Sequence, residues 1–170
     1  MGKMFTRAGR ATIFDRRAYT EAFFDNDAAA DGAILVALVG TAAYVGLLVR
    51  AGALGSFGIR GLLETVLGFI VAWLILAFAT WFIATRLFGG HGRPQTMIAM
   101  HGLAPLPLLL EIGGAILGGI GLVWHLGVLT VATREASNLD LRKSAVSVLI
   151  GFALAALFRA LLRVPYAVFG

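Results

Sequence analysis

The sequence predicts an all-α, polytopic membrane protein: five transmembrane helices preceded by a short amphipathic or interfacial N-terminal segment. Three observations carry this. Of the 170 residues, 59% are hydrophobic and 14% charged, against roughly 45–50% and 25% in ordinary soluble domains. Mean hydropathy is +0.90. The apolar residues come in blocks of about 16 to 24 nearly uncharged positions, enough for helices to cross a ~30 Å hydrocarbon core.

Residues 1–31 are mixed and charged. Lys3, Arg7, Arg10, Arg16 and Arg17 are followed by Glu21, Asp25, Asp27 and Asp31, with Phe5, Ile13, Phe14, Tyr19, Phe23 and Phe24 scattered among them. Ile13, Arg16, Arg17, Thr20, Phe23 and Phe24 make no clean 3.6-residue face, and the segment reads as one or two short interfacial helices touching the membrane surface through basic and aromatic side chains. The first apolar run starts too late for a signal peptide. Two units are expected: a cytoplasmic or interfacial segment over 1–31 and a membrane domain over 32–170.

The first span is expected over 32–49, with Asp31 as its cap and Arg50 at its end. A Gly-rich connector holding Arg60 leads to the second span, 62–87, where Glu64 near the start suits the helix dipole. "LFGGHGRPQ" (Leu87–Gln95) then stops one helix and starts another. Gly89 or Gly90 fits the left-handed residue after a helix, and Pro94 fits the first turn of the next.

The third span, 96–110, contains Pro105 and Pro107, which should kink or break it. The fourth runs over 115–132. From Gln95 to Thr133 the chain makes about 58 Å of helix at ~1.5 Å per residue. That is two crossings with almost no loop, so a tight hairpin should turn near Glu111–Gly114. The polar "TREASNLDLRKS" (Thr133–Ser144) precedes the last span, 145–162.

Basic residues set the orientation. The side shared with the N-terminus holds Lys3, Arg7, Arg10, Arg16, Arg17, Arg86, Arg93, Arg134, Arg142 and Lys143. The other side holds Arg50, Arg60, Arg159 and Arg163. Ten against four places the N-terminus in the cytoplasm and the C-terminus outside. The net charge of +5 therefore belongs to span ends facing lipid headgroups, not to a nucleic-acid surface.

Chemistry has little to stand on. There are no cysteines, no catalytic triad, no His-Glu-x-x-His and no paired carboxylates in a span, so no catalytic residue, metal site or resident cofactor is assigned. "GGHGRPQT" lacks the Lys and Ser/Thr of a phosphate-binding loop. His101 and His125 lie about 9 and 12 Å into neighbouring spans at ~1.5 Å per residue. Facing each other, they would suit a haem or chlorin, or a proton relay; otherwise they make interhelical hydrogen bonds. Glu111, the only carboxylate between apolar runs, belongs at the outer interface or else serves as an ion or proton site. Gly114, Gly118 and Gly121, with Ala33/Ala37 and Ala156/Ala160, form small-residue faces for close helix packing within the chain or for self-association.

The "LFGG" closing the Trp81-containing span, "HGLAPLPLLL" (His101–Leu110), Trp124 and "TREASNLDLRKSAV" (Thr133–Val146) together resemble the Yip family of five-span proteins, partners of Ypt/Rab GTPases. The likeness covers about Gly32–Phe169. It implies a cytoplasmic N-terminus, five spans and an outward C-terminus, and roles as trafficking adaptor, GTPase recruiter or membrane shaper. Eukaryotic members carry a longer N-terminal region than the 31 residues here. The Ala-, Gly- and Arg-rich composition is that of a prokaryotic member in the plasma membrane.

The expectation is a non-enzymatic membrane adaptor, organiser or accessory subunit of a larger membrane complex. Its contacts with lipid or with other membrane proteins would involve Arg16, Arg17, His91, Arg93, Arg134, Arg142 and Lys143. The rival is a small transporter or channel, or a cofactor-bearing subunit, built on His101, His125 and Glu111.

Overall fold

The computed structural model describes residues 2–168, with side-chain surroundings through Phe158. The side chains of Ala160, Arg159 and Arg163 and the whole of Phe169 lie outside the described residues. Among the described residues every regular element is helical: α1 (Gly2–Thr12), α2 (Arg16–Phe23), α3 (Ala28–Arg50), α4 (Ile59–Arg86), α5 (Pro94–His101), α6 (Ala115–Ser137) and α7 (Leu141–Val168). Short 3-10 stretches cover Leu54–Ser56 and Leu106–Gly113. Five segments are long and apolar enough to cross a membrane: α3, α4, Pro94–Gly113, α6 and Leu141–Phe158. The chain is an integral membrane protein of five spans, and its outer surface meets lipid through residues such as Leu67, Ile116, Val123 and Leu154.

The N-terminal segment does have a helical face. Met4, Arg7, Ala8 and Ala11 are buried along α1, and Ala18, Tyr19 and Ala22 along α2. Ile13, Arg16, Arg17, Thr20, Phe23 and Phe24 take no part in it and are exposed. The stripe is built of alanine, one methionine, one tyrosine and an arginine, while the large side chains Phe5, Ile13, Phe23 and Phe24 point outward. Asp15 caps α2 by accepting from Arg17 N–H at 3.0 Å. The buried stripe joins the same core as Leu35, Leu76, Met100, Leu129 and Val148 of the spans.

Two expectations are corrected. α3 starts at Ala28, so Asp31 stands in its first turn and not at the cap; its carboxylate lies 3.8 Å from Arg7 Nη1. α4 starts at Ile59, so Glu64 lies beyond the first turn. There it pairs with Arg60 at 2.8 Å, one helical turn away.

The third span is broken as its prolines require. α5 ends at His101, and the chain then turns through Gly102–Ala104 into the 3-10 stretch that carries Pro107. Gly114, with φ +101°, reverses the chain in one residue before α6 begins. That backbone geometry suits glycine alone, and it gives the tight hairpin the length arithmetic demanded.

Glycines set the closest crossings. Gly32 of α3 and Gly102 meet so closely that a Cβ on Gly32 would stand 2.9 Å from Gly102 Cα. Gly40 lies against Phe69 and Gly46 against Ile112. Gly121 backs onto Pro107 O, and Gly118 lies against Glu111. The glycine stripe of α6, expected to serve packing or self-association, is thus covered by the other half of its own hairpin at Gly118 and Gly121. Gly114 stands open.

Candidate functional site

Two places gather the residues singled out from the sequence. The first is the end of the bundle where α1 and α2 sit. Trp81 near the end of α4 donates from Nε1 to Gly92 O at 2.8 Å. Gly90 N–H donates to Ala84 O at 2.9 Å, and His91 N–H to Ser137 O at 3.0 Å. Gly89, at φ +71°, takes the left-handed position, and Pro94 opens α5. A Cβ on Gly92 would stand 2.6 Å from Ala136 O, so the loop lies flat on the end of α6. Its side chains His91 and Arg93 are exposed.

α2 is tied to the same place. Arg16 grips Glu135 through Nε and Nη2, at 2.7 and 3.1 Å, a fork-to-fork contact that fixes orientation as well as charge. Tyr19 reaches Val128 O at 3.3 Å, and burial pushes its hydroxyl above the usual phenol range. Arg134 is half-buried, while Arg17, Arg142 and Lys143 are exposed. Asp140 caps α7, accepting from Lys143 N–H at 2.9 Å.

Arg7 is the surprise at this end. Its side chain is only 5% exposed, yet Nη2 donates to Asp25 at 2.6 Å. Asp31 and Glu21 complete the surround at 3.8 and 3.9 Å. The guanidinium holds the Asp25 carboxyl below the usual carboxylate range, helped by the Asp27 N–H. Arg10 does the same to Glu21 through a direct hydrogen bond. A charge this buried needs such partners, and they come from α2, the α2–α3 turn and α3.

The second place is a cleft of about 290 Å³ between the spans. His101, His125 and Glu111 all line it, with Trp73, Leu76 and Phe152. His101 Nε2 lies 2.9 Å from Thr133 Oγ1, and His125 Nδ1 lies 2.8 Å from Ala104 O. Each ring therefore spends one nitrogen on an interhelical hydrogen bond. Glu111 is exposed at the hairpin turn, where its backbone carbonyl accepts from Arg50 Nη1 at 2.7 Å.

Sequence reasoning missed Arg7, Trp73 and Thr133 as members of these sites. A tryptophan inside an apolar run has the same sequence signature whether it faces lipid or a cleft. Thr133 was read as the start of a loop, but α6 continues through Ser137. For Arg7 a signal existed: Met4, Arg7, Ala8 and Ala11 follow i, i+3, i+4, i+7.

A family model described as Yip1 domain matches residues 11–162. The match begins within α1, some twenty residues before the resemblance noted from motifs alone. No curated protein and no solved structure matches the chain.

Proposed function

Because the chain belongs to the Yip1 domain family, we propose that it works by interaction: a non-enzymatic membrane adaptor or organiser, or an accessory subunit of a larger membrane complex. Its N-terminus faces the cytoplasm in this reading, supported by the ten-to-four distribution of basic residues. The membrane is the prokaryotic plasma membrane.

One observation carries the proposal. Three stretches far apart in sequence are pinned together at one end of the bundle: α2 through Arg16–Glu135, the Gly89–Arg93 loop through Trp81 and Ser137, and the α6–α7 turn. Their exposed cations Arg17, Arg93, Arg142 and Lys143, with the exposed imidazole of His91, then form one preorganised surface. Preorganisation is what lowers the cost of recruiting a partner. The partner is a protein with an acidic surface, or anionic headgroups acting with it.

The test is purification in mild detergent from native membranes. Arg17→Glu, Arg93→Glu, Arg142→Glu and Lys143→Glu combined should abolish co-purification of a defined partner. Replacing His101, His125 and Glu111 with apolar residues should leave it intact. The shared cleft supports the rival reading of a small transporter, channel or cofactor-bearing subunit. Loss of an ion flux or a pigment in that triple variant, with co-purification insensitive to the charge reversals, would overturn the adaptor reading.

A further inference from the structure

The cleft between the spans contains hydrogen-bonding groups that nothing among the described residues satisfies. Thr133 is fully buried, and its hydroxyl has one partner, His101 Nε2. Thr41, Thr65, Thr85 and Thr130 give their hydrogen to a carbonyl four residues back; Thr133 does not. The hydroxyl hydrogen therefore goes to Nε2, and in a neutral imidazole the proton then resides on the other nitrogen. That nitrogen, Nδ1 of His101, is buried without a partner. Trp73 Nε1 is likewise buried without a partner, and the indole sits beside the same stretch of chain: a Cβ on Gly102 would lie 3.2 Å from Trp73 Cζ2. Both residues line the cleft, whose remaining wall is mainly apolar.

His125 and Glu111 share the cleft but neither meets these two N–H donors; in a hydrocarbon surround without acceptors, such groups call for an oxygen from outside the described residues. The volume suits a ring or two, since drug-sized ligands begin at about 300 Å³; it is small for a tetrapyrrole. We propose that this cleft binds a lipid-soluble carbonyl compound, its oxygen accepting from His101 Nδ1–H and Trp73 Nε1–H and its apolar body lying against Leu76 and Phe152. Two sources offer that chemistry: the ring carbonyl of a quinone, and the ester carbonyl of a bilayer phospholipid whose acyl chain enters the cleft. The inference is independent of the adaptor reading, because it concerns the bundle interior and not the cationic end.

Full-length protein in dioleoylphosphatidylcholine nanodiscs is titrated with menadione, a tail-free quinone, and bound menadione is counted by equilibrium dialysis. In parallel, native mass spectrometry of the detergent-purified chain counts retained phospholipid. Saturable menadione binding near one per chain identifies the quinone source. One retained phospholipid without menadione binding identifies the ester source. In either arm Trp73→Phe and His101→Phe should weaken retention at least tenfold, as expected when a donor to the ligand is removed, and Trp124→Phe should leave it unchanged. Trp73→Phe keeps the ring volume nearly constant, so it decides the matter if His101→Phe does not fold. Absence of both bound species, the result expected of a cleft filled with water, overturns the proposal; so does retention equal in the wild-type chain and Trp73→Phe.

Discussion

Gly32 and Gly102 hold the bundle together by what they lack. Their backbones meet where α3 crosses the turn after α5, and a Cβ on Gly102 would stand 2.5 Å from Gly32 Cα. The neighbour is backbone on both sides, so neither can yield. Gly102→Ala and Gly32→Ala should each cost about 1–3 kcal/mol, in the range of overpacked cores, and lower the melting temperature in detergent. Gly119, with nothing within 4 Å, is the control: Gly119→Ala should leave the melting temperature unchanged or raise it, since alanine is the better helix former. Equal effects at Gly102 and Gly119 would contradict the crossing. A second residue-scale prediction concerns acid. Asp25 and Glu21 are held below their ordinary range by Arg7 and Arg10. A carboxyl depressed on folding stabilises the fold above its unfolded pKa, and this is lost as pH falls through its folded pKa. Docking of α1 and α2 should therefore hold at neutral pH and loosen only below the ordinary carboxylate range of about 4. Amide exchange over residues 2–24, compared at pH 6 and pH 3 after correction for intrinsic rates, measures it. Arg7→Ala should produce the loosening already at pH 6.

At the scale of elements, the turns were legible and the docking was not. Gly89, Pro94, Pro105 and Gly114 each act through covalent constraints on their own backbone, and such local constraints are visible in a sequence. The Glu111–Gly114 reversal followed from chain length and hydrocarbon thickness alone. The docking of α1 and α2 depends on what their small faces meet, and alanine carries almost no hydropathy signal. The crossing of Gly32 with Gly102 joins positions seventy residues apart, with nothing local to announce it. The early starts of α3 and α4 show the same limit: Asp31 and Glu64 had the right chemistry for helix N-termini, but one faces Arg7 and the other pairs with Arg60. One element-scale prediction follows from the loop. Trp81→Phe removes the N–H that holds Gly92 O, and should speed exchange of the His91 amide, bonded to Ser137 O, at least tenfold. An unchanged rate would mean that backbone packing against Ala136 suffices by itself.

Across the whole molecule, five spans and two N-terminal helices share one core. The bundle fixes which residues of the candidate sites can act together. His101, His125 and Glu111 line one cleft, although one nitrogen of each imidazole is already tied, His101 to Thr133 of α6 and His125 to Ala104 in the turn after α5. Arg17, Arg93, Arg142 and Lys143 are exposed at the span ends, where the sequence placed them because charge is excluded from the hydrocarbon core. Arg16 was the exception: it is spent on Glu135, a pairing invisible over 119 positions. The proposed cytoplasmic contact surface is the end carrying α2, the Gly89–Arg93 loop and the α6–α7 turn. The chain has no cysteine, so one introduced thiol is unique. Native membranes holding Arg93→Cys, or Ser56→Cys at the opposite end, are labelled with a thiol-reactive benzophenone and irradiated. A discrete protein adduct is expected from Arg93→Cys, formed only when the reagent reaches the cytoplasmic face, and none from Ser56→Cys. Adducts from Ser56→Cys alone, or labelling of Arg93→Cys by an impermeant reagent applied to intact cells, would contradict it.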